Sequence, residues 1–149
     1  SFLLSDFARE DSRMWFEGSI QKIASVSASI VTAAFARAFD GPNGTFDARA
    51  FAIPQREEVV KYFVWRQVDA SRNSLNMLAS TYYSHAELLG KSEKDKHDML
   101  HAKGQNWAKW PADFKRGRVV RRDGQVDRDI PVFTREKSYL DELIPGNSR

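Results

Sequence analysis

Residues 62–76 read YFVWRQVDASRNSLN, and this stretch decides how the chain is organised. It lies inside a longer run, Gln55 to about Ser84, with apolar residues Val60, Val64, Val68, Leu75, Leu78 and Tyr82 at helical spacing. Glu57 and Glu58 fall in the first turn, where the helix dipole favours acids. The polar members are costly in a helix interior, because Ser, Asp and Asn compete with the backbone for hydrogen bonds. Arg66, Asp69, Asn73 and Asn76 follow at spacings of three, four and three, which puts them on one face. That face carries no Lys or Glu, the usual residues of a merely solvated helix. Its short amide, carboxylate and guanidinium groups hold fixed geometry and suit directional bonds to a base, ribose or phosphate. An intrahelical Arg66–Asp69 pair on a polar packing face is the alternative, and the residues alone leave both open.

Working outward, residues from about Met14 to Phe39 place Phe16, Ile20, Ile23, Ile30 and Ala34 at helical spacing, with Ala and Ser between. Small residues predict a helix packed closely on a sheet. Residues 40–44 (DGPNG) break the chain, and Phe46 to Ile53 reads as a short strand closed by Pro54. Ser1 to Ser5 alternates as a strand without a preceding Met, turn or cap, so the chain reads as opening in mid-strand; residues 7–13 are polar and turn-like. Downstream, a helix is predicted from about Lys91 to Ala102, stopping at Gly104. Gln105 to Asp113 is a loop carrying Trp107 and Trp110. Gly117 to Arg122 predicts a strand, Asp123-Gly124 a hairpin turn, and Asp129 to Phe133 its partner; residues from Thr134 on are weakly patterned. Strand–helix–strand, then helices, then a hairpin is an α+β order rather than a doubly wound one.

At 149 residues with 42% hydrophobic and 29% charged content, the chain has the size and composition of one globular domain. No run approaches the roughly 18 apolar residues that cross a bilayer, and no leader pattern opens the chain. The absence of cysteine excludes disulfides and thiolate metal sites. A cytoplasmic protein with no membrane partner is expected. The net charge is only +3, yet Lys103, Lys109, Lys115, Arg116, Arg118, Arg121 and Arg122 face a single acid, Asp113, in one stretch. A basic stripe beside a near-neutral body is the footprint of a phosphate-backbone partner, or else a solvated charged surface. His97 and His101 stand four apart, as metal ligands can, but neither His85 nor any acid supplies a third ligand at a convincing spacing. Surface histidines and no metal site are expected.

Three blocks carry a resemblance: FDARAFAIP (46–54), YFVWRQVDASRN (62–73), and KDKHDML with GQNWAKWP and FKRGRVV (94–120). In this order and at these distances the chain resembles the second half of the tRNA-His guanylyltransferases and their microbial guanylyltransferase-like relatives, from Ser1 to about Arg122. The resemblance implies an α+β fold with an incomplete polymerase-palm-like antiparallel sheet, packed helices and a C-terminal helical and hairpin extension. Residues 1–54 would form the second half of the palm-like catalytic domain. Residues 55–149 would complete the nucleotide and tRNA site.

It further implies a nucleotidyltransferase that adds nucleotides, GTP preferred, to the 5′ end of tRNA in the 3′-to-5′ direction, either as tRNA-His guanylylation or as 5′-end repair. ATP and GTP would be substrates and two Mg²⁺ ions would align them. The carboxylates for those ions are expected upstream of Ser1, since Asp6, Glu10 and Asp11 lie too far past the opening strand. No catalytic residue is therefore expected within the chain, and the chain alone is expected to be inactive. Family positions near the nucleotide map onto Lys22, Lys96 and Asn106. Ser71, Arg72 and Asn73 carry the microbial form of the helix motif, alongside Arg66 and Asp69. Lys115, Arg116, Arg118, Arg121 and Arg122 would meet the tRNA backbone, and the family's assembly implies a homotetramer.

Each position also has a plain structural role open to it. Lys96 can be a solvated helix lysine, Asn106 a turn residue, and Lys22 a side chain lying along its own helix. Trp107 and Trp110 can stack on bases, though packing the loop onto the core is the better reading. The opposing functional class is a non-catalytic RNA-binding or oligomerisation module that keeps the polar face and the basic stripe.

Overall fold

The computed structural model describes residues 1–5, 13–41 and 44–146. They belong to two compact units, Ser1–Gln55 with Pro145–Arg149, and Arg56–Ile144. The expected polar turn with Asp6, Glu10 and Asp11, and Pro42-Asn43 of the breaker, lie outside the described residues.

In the first unit the run expected as one helix from Met14 is divided. A 3-10 turn spans Trp15–Gly18, and helix α1 spans Ile20–Ala38. The break comes from Phe16 and Glu17, whose φ of 51° and 53° are left-handed and disfavoured by a Cβ. No residue of α1 is buried, and Ile20 and Ile30 are more than half exposed. Its C-terminal end is closed by Phe35, whose ring lies 5.0 Å from that of Phe39 and 5.3 Å from that of Phe46. The Phe46 N–H donates to Thr32 Oγ1 at 3.2 Å, which returns the following segment along the helix. Neither residues 1–5 nor residues 46–53 form the expected strands. A strand exists only through its ladder partner, and among the described residues the strand ladder joins β-strands at 119–120 and 126–127, not these segments.

The second unit is built on α2, Arg56–Ser80. After it come α3 (His85–Leu88), α4 (Glu93–Ala102), a 3-10 turn (Trp107–Lys109), α5 (Ala112–Arg116), a hairpin of β1 (Val119–Val120) and β2 (Val126–Asp127), and α6 (Ser138–Leu143). The long helix stops short of Ser84 because Ser84 caps the next one. Its hydroxyl accepts from the Glu87 N–H while Glu87 accepts from the Ser84 N–H, and Ser92 with Asp95 repeats the box at α4.

Among the described residues the buried apolar side chains all lie between Val59 and Ile144. Leu75, Leu78 and Leu100 form a cluster at the C-terminal half of α2, covered by Trp107 and Trp110 as expected for the loop. The buried stripe of α2 differs from the predicted one. Val68 and Tyr82 are 44% and 41% exposed, whereas Gln67 and Ser74 are buried.

Gln67 explains a second correction. The partner of β1 is Val126–Asp127, in register Val119↔Asp127 and Val120↔Val126, and not Asp129–Phe133. Residues 131–133 are held by α2 instead: the Gln67 side-chain amide donates to the Pro131 carbonyl and accepts from the Phe133 N–H, both at 2.8 Å. The weakly patterned segment after Thr134 forms α6 and buries Leu140 and Ile144. Arg56 fixes it, donating to the Asp141 carboxylate and carbonyl at 2.8 Å each. A six-residue helix is too short to show periodicity in the sequence. The α+β class holds, mostly helical, with the hairpin as the sheet among the described residues. No helix among these residues is long and apolar enough to cross a membrane.

Candidate functional site

On α2 the predicted polar face is assembled from short links. Arg66 Nη1 donates to Asp69 Oδ2 at 3.1 Å, and Asn73 Nδ2 reaches the same oxygen at 3.4 Å. One turn further, Lys96 of α4 donates from Nζ to Asn76 Oδ1 at 2.9 Å. Arg72 Nε meets Glu93 Oε1 at 3.1 Å. The two helices thus bring Arg66, Asp69, Arg72, Asn73 and Lys96 onto one surface, a meeting not readable from their separation in sequence. The intrahelical Arg66–Asp69 pair is real, yet the side chains stay 42% and 33% exposed, so the pair does not close the face.

Lys96 has the most distinctive chemistry. It is half-buried and bonds an amide oxygen rather than a carboxylate, so its charge has no acid partner among the described residues. An ammonium has three donors, and one bond to Asn76 leaves others for an anionic oxygen. Trp65, 57% exposed with the Arg66 guanidinium 5.3 Å from its ring centre, adds an aromatic surface to the same helix.

Two predicted positions of the second unit, Ser71 and Asn106, have other roles, and Lys22 belongs to the first unit. Ser71 lies between Gln67 and Ser74 on the buried side, and its carbonyl accepts from the Ser74 hydroxyl at 2.8 Å. Asn106 caps the 3-10 turn, its Oδ1 accepting from the Ala108 N–H at 3.0 Å. Lys22 is exposed on α1, in the first unit.

The basic stripe is partly engaged within the fold. Lys115 Nζ donates to the Ala108 carbonyl at 2.6 Å and lies 5.7 Å from the Trp107 ring centre. Arg116 Nε donates to the Ile130 carbonyl at 2.7 Å, with its side chain only 19% exposed. Arg118 is 3.4 Å from Asp113, and Arg121 is 3.7 Å from Asp127. These four are ties within the fold as well as charges: Lys115 is held by a carbonyl and an indole, Arg118 by Asp113 within the stretch, and Arg116 and Arg121 lie near Asp129 and Asp127 downstream of it. Arg122 and Lys109 are exposed and have no acid partner among the described residues.

Trp107 Nε1 donates to Ser74 Oγ at 3.0 Å, and the His97 ring packs edge-on against Trp107 at 5.5 Å. Among the described residues no group of three His, Asp or Glu side chains gathers as a metal site. The Tyr139 hydroxyl donates to Asp127 Oδ2 at 2.7 Å and, with Arg121 nearby, holds that carboxyl below the usual carboxylate range. Burial and the same bond push the Tyr139 phenol up.

No family model matches the chain. It is similar to the tRNA(His) guanylyltransferase of Saccharomyces cerevisiae, 29% identical over 114 residues that cover 68% of this chain and 45% of that protein. Among solved structures, a bacterial tRNA(His) guanylyltransferase-like protein in complex with ATP superposes with a TM-score of 0.82 at 36% identity, covering 95% of this chain and 65% of the other. A bacterial guanylyltransferase-like protein in complex with GTP gives a TM-score of 0.71 at 33% identity, covering 95% and 63%. The chain therefore spans under half of the curated relative and just under two thirds of these structures. Backbone likeness extends over 95% of this chain and sequence likeness to the curated relative over 68%: the chain is similar to the tRNA(His) guanylyltransferases and their bacterial relatives.

Proposed function

We propose that this chain is the nucleotide- and tRNA-gripping part of a nucleotidyltransferase acting at the 5′ end of tRNA, with GTP preferred and growth in the 3′-to-5′ direction. The observation that carries the reading is Lys96, a half-buried cation set against the Asn76 amide on the polar face of α2. The relatives in complex with ATP and GTP support nucleoside triphosphates as its ligands.

In this reading the Lys96 ammonium takes a phosphate oxygen, and Arg72 exchanges its exposed partner Glu93 for another. Asp69, oriented by Arg66 and Asn73, accepts from a ribose hydroxyl or a base N–H. Lys22 on α1 is the first unit's cation for a triphosphate. The magnesium chemistry implied by the family finds no carboxylate cluster among the described residues, and these residues are assigned only binding and orientation.

Lys96→Ala removes a charged hydrogen-bonding group and is expected to weaken GTP binding by roughly ten- to a hundredfold, with Lys96→Arg intermediate. Equilibrium dialysis with labelled GTP measures this, alongside a melt that stays cooperative. Equal affinity in Lys96→Ala and parent overturns the reading.

A further inference from the structure

The 3-10 turn after α4 borders a groove of about 320 Å³ lined by Gly104, Gln105, Asn106, Lys109, Trp110 and Pro111. We infer that this groove holds one unpaired nucleotide of the RNA, with its phosphate at Lys109 and its base against Trp110. The inference rests on the RNA-binding reading above and adds to it a site off the polar face of α2.

Lys109 is the one charged residue of the lining; it is exposed and has no acid partner among the described residues. Trp110 is anchored from behind, against the Leu75–Leu78–Leu100 cluster and against Phe114 at 4.6 Å between ring centres. A fixed indole loses little freedom when a base stacks on it, and any base will serve.

The floor is preorganised too. Gln105 N–H donates to the Leu100 carbonyl at 2.9 Å, and Trp110 N–H to the Trp107 carbonyl at 3.1 Å. Asn106 spends its oxygen on the Ala108 N–H, which leaves its amide hydrogens as donors.

Size and charge select the ligand. The volume lies at the low end of small-molecule sites, which suits one nucleotide unit rather than two. A free triphosphate brings several charges and demands several cations, whereas a backbone phosphodiester brings one, which a single lysine matches. Lys109 also lies within the most basic stretch of the sequence.

The test uses the full chain with a fluorescently labelled tRNA transcript, titrated by anisotropy across a salt series, and GTP in a parallel titration. Lys109→Gln is expected to bind tRNA about fivefold more weakly and to lower the salt slope by about one, with Lys109→Glu weaker again and GTP affinity unchanged. Parental affinity and slope in both variants overturn the site while tRNA binding by the parent keeps the wider reading. A loss confined to GTP also overturns it, since the groove would then serve the free nucleotide. A parent that binds no tRNA ends the functional reading itself, and the groove with it.

Discussion

Gln67 joins, through one amide, two backbone groups that lie 64 and 66 residues further along the chain. Because the side chain is only 6% exposed, no water stands ready to replace either bond. Gln67→Leu keeps the volume but leaves the buried Phe133 N–H and the partly buried Pro131 carbonyl without their partner. It is expected to cost about 3 kcal/mol, read as a lowered urea midpoint with an unchanged slope. An unshifted midpoint would mean that residues 131–133 find other partners. At this scale the sequence was half legible. The spacing of Arg66, Asp69 and Asn73 announced a polar face, because helical periodicity is local information. The roles of Gln67 and Ser74 were hidden, since residue type does not name a distant partner, and the buried stripe was drawn through Val68 instead.

The hairpin and α6 are coupled through Tyr139, whose ring stacks on Phe133 at 5.6 Å while its hydroxyl holds Asp127. The Asp127 carboxyl is lowered by that hydroxyl bond, so its contribution to stability is present above the ordinary carboxylate range and lost as pH falls through its own lowered value. The Tyr139 phenol is raised, first by burial and then by Asp127. Its contribution is therefore complete below the ordinary phenol range and disappears as pH climbs through the raised value. Tyr139→Phe should leave the fold intact and flatten both flanks of the melting temperature against pH; identical profiles for variant and parent would remove the coupling. Elements whose signals are local, such as the helix from about Lys91 to Ala102 and the Asp123-Gly124 turn, were readable beforehand. Extended segments were not, because the pairing of a strand is decided by whatever lies beside it.

Across the molecule, burial is uneven. Among the described residues every buried apolar side chain belongs to 59–144, whereas α1 has none and keeps Ile20, Ile30 and the neighbouring Phe39 more than half exposed. The second unit also contains its own closure: Arg56 at the start of α2 bonds Asp141 and Ile144 at its far end, so both ends of residues 56–144 are tied together. A segment with a complete core and joined ends should fold without the rest. The fragment 56–144 is accordingly expected to unfold in one cooperative urea transition, with a stability on the order of 5 kcal/mol. Arg56→Ala in that fragment should lower the midpoint more than Lys61→Ala does, since Lys61 makes only an exposed pair with Glu58 one turn away. The reading would be sunk by a fragment with broad, non-cooperative unfolding, because the core described between Val59 and Ile144 would then depend on residues outside it.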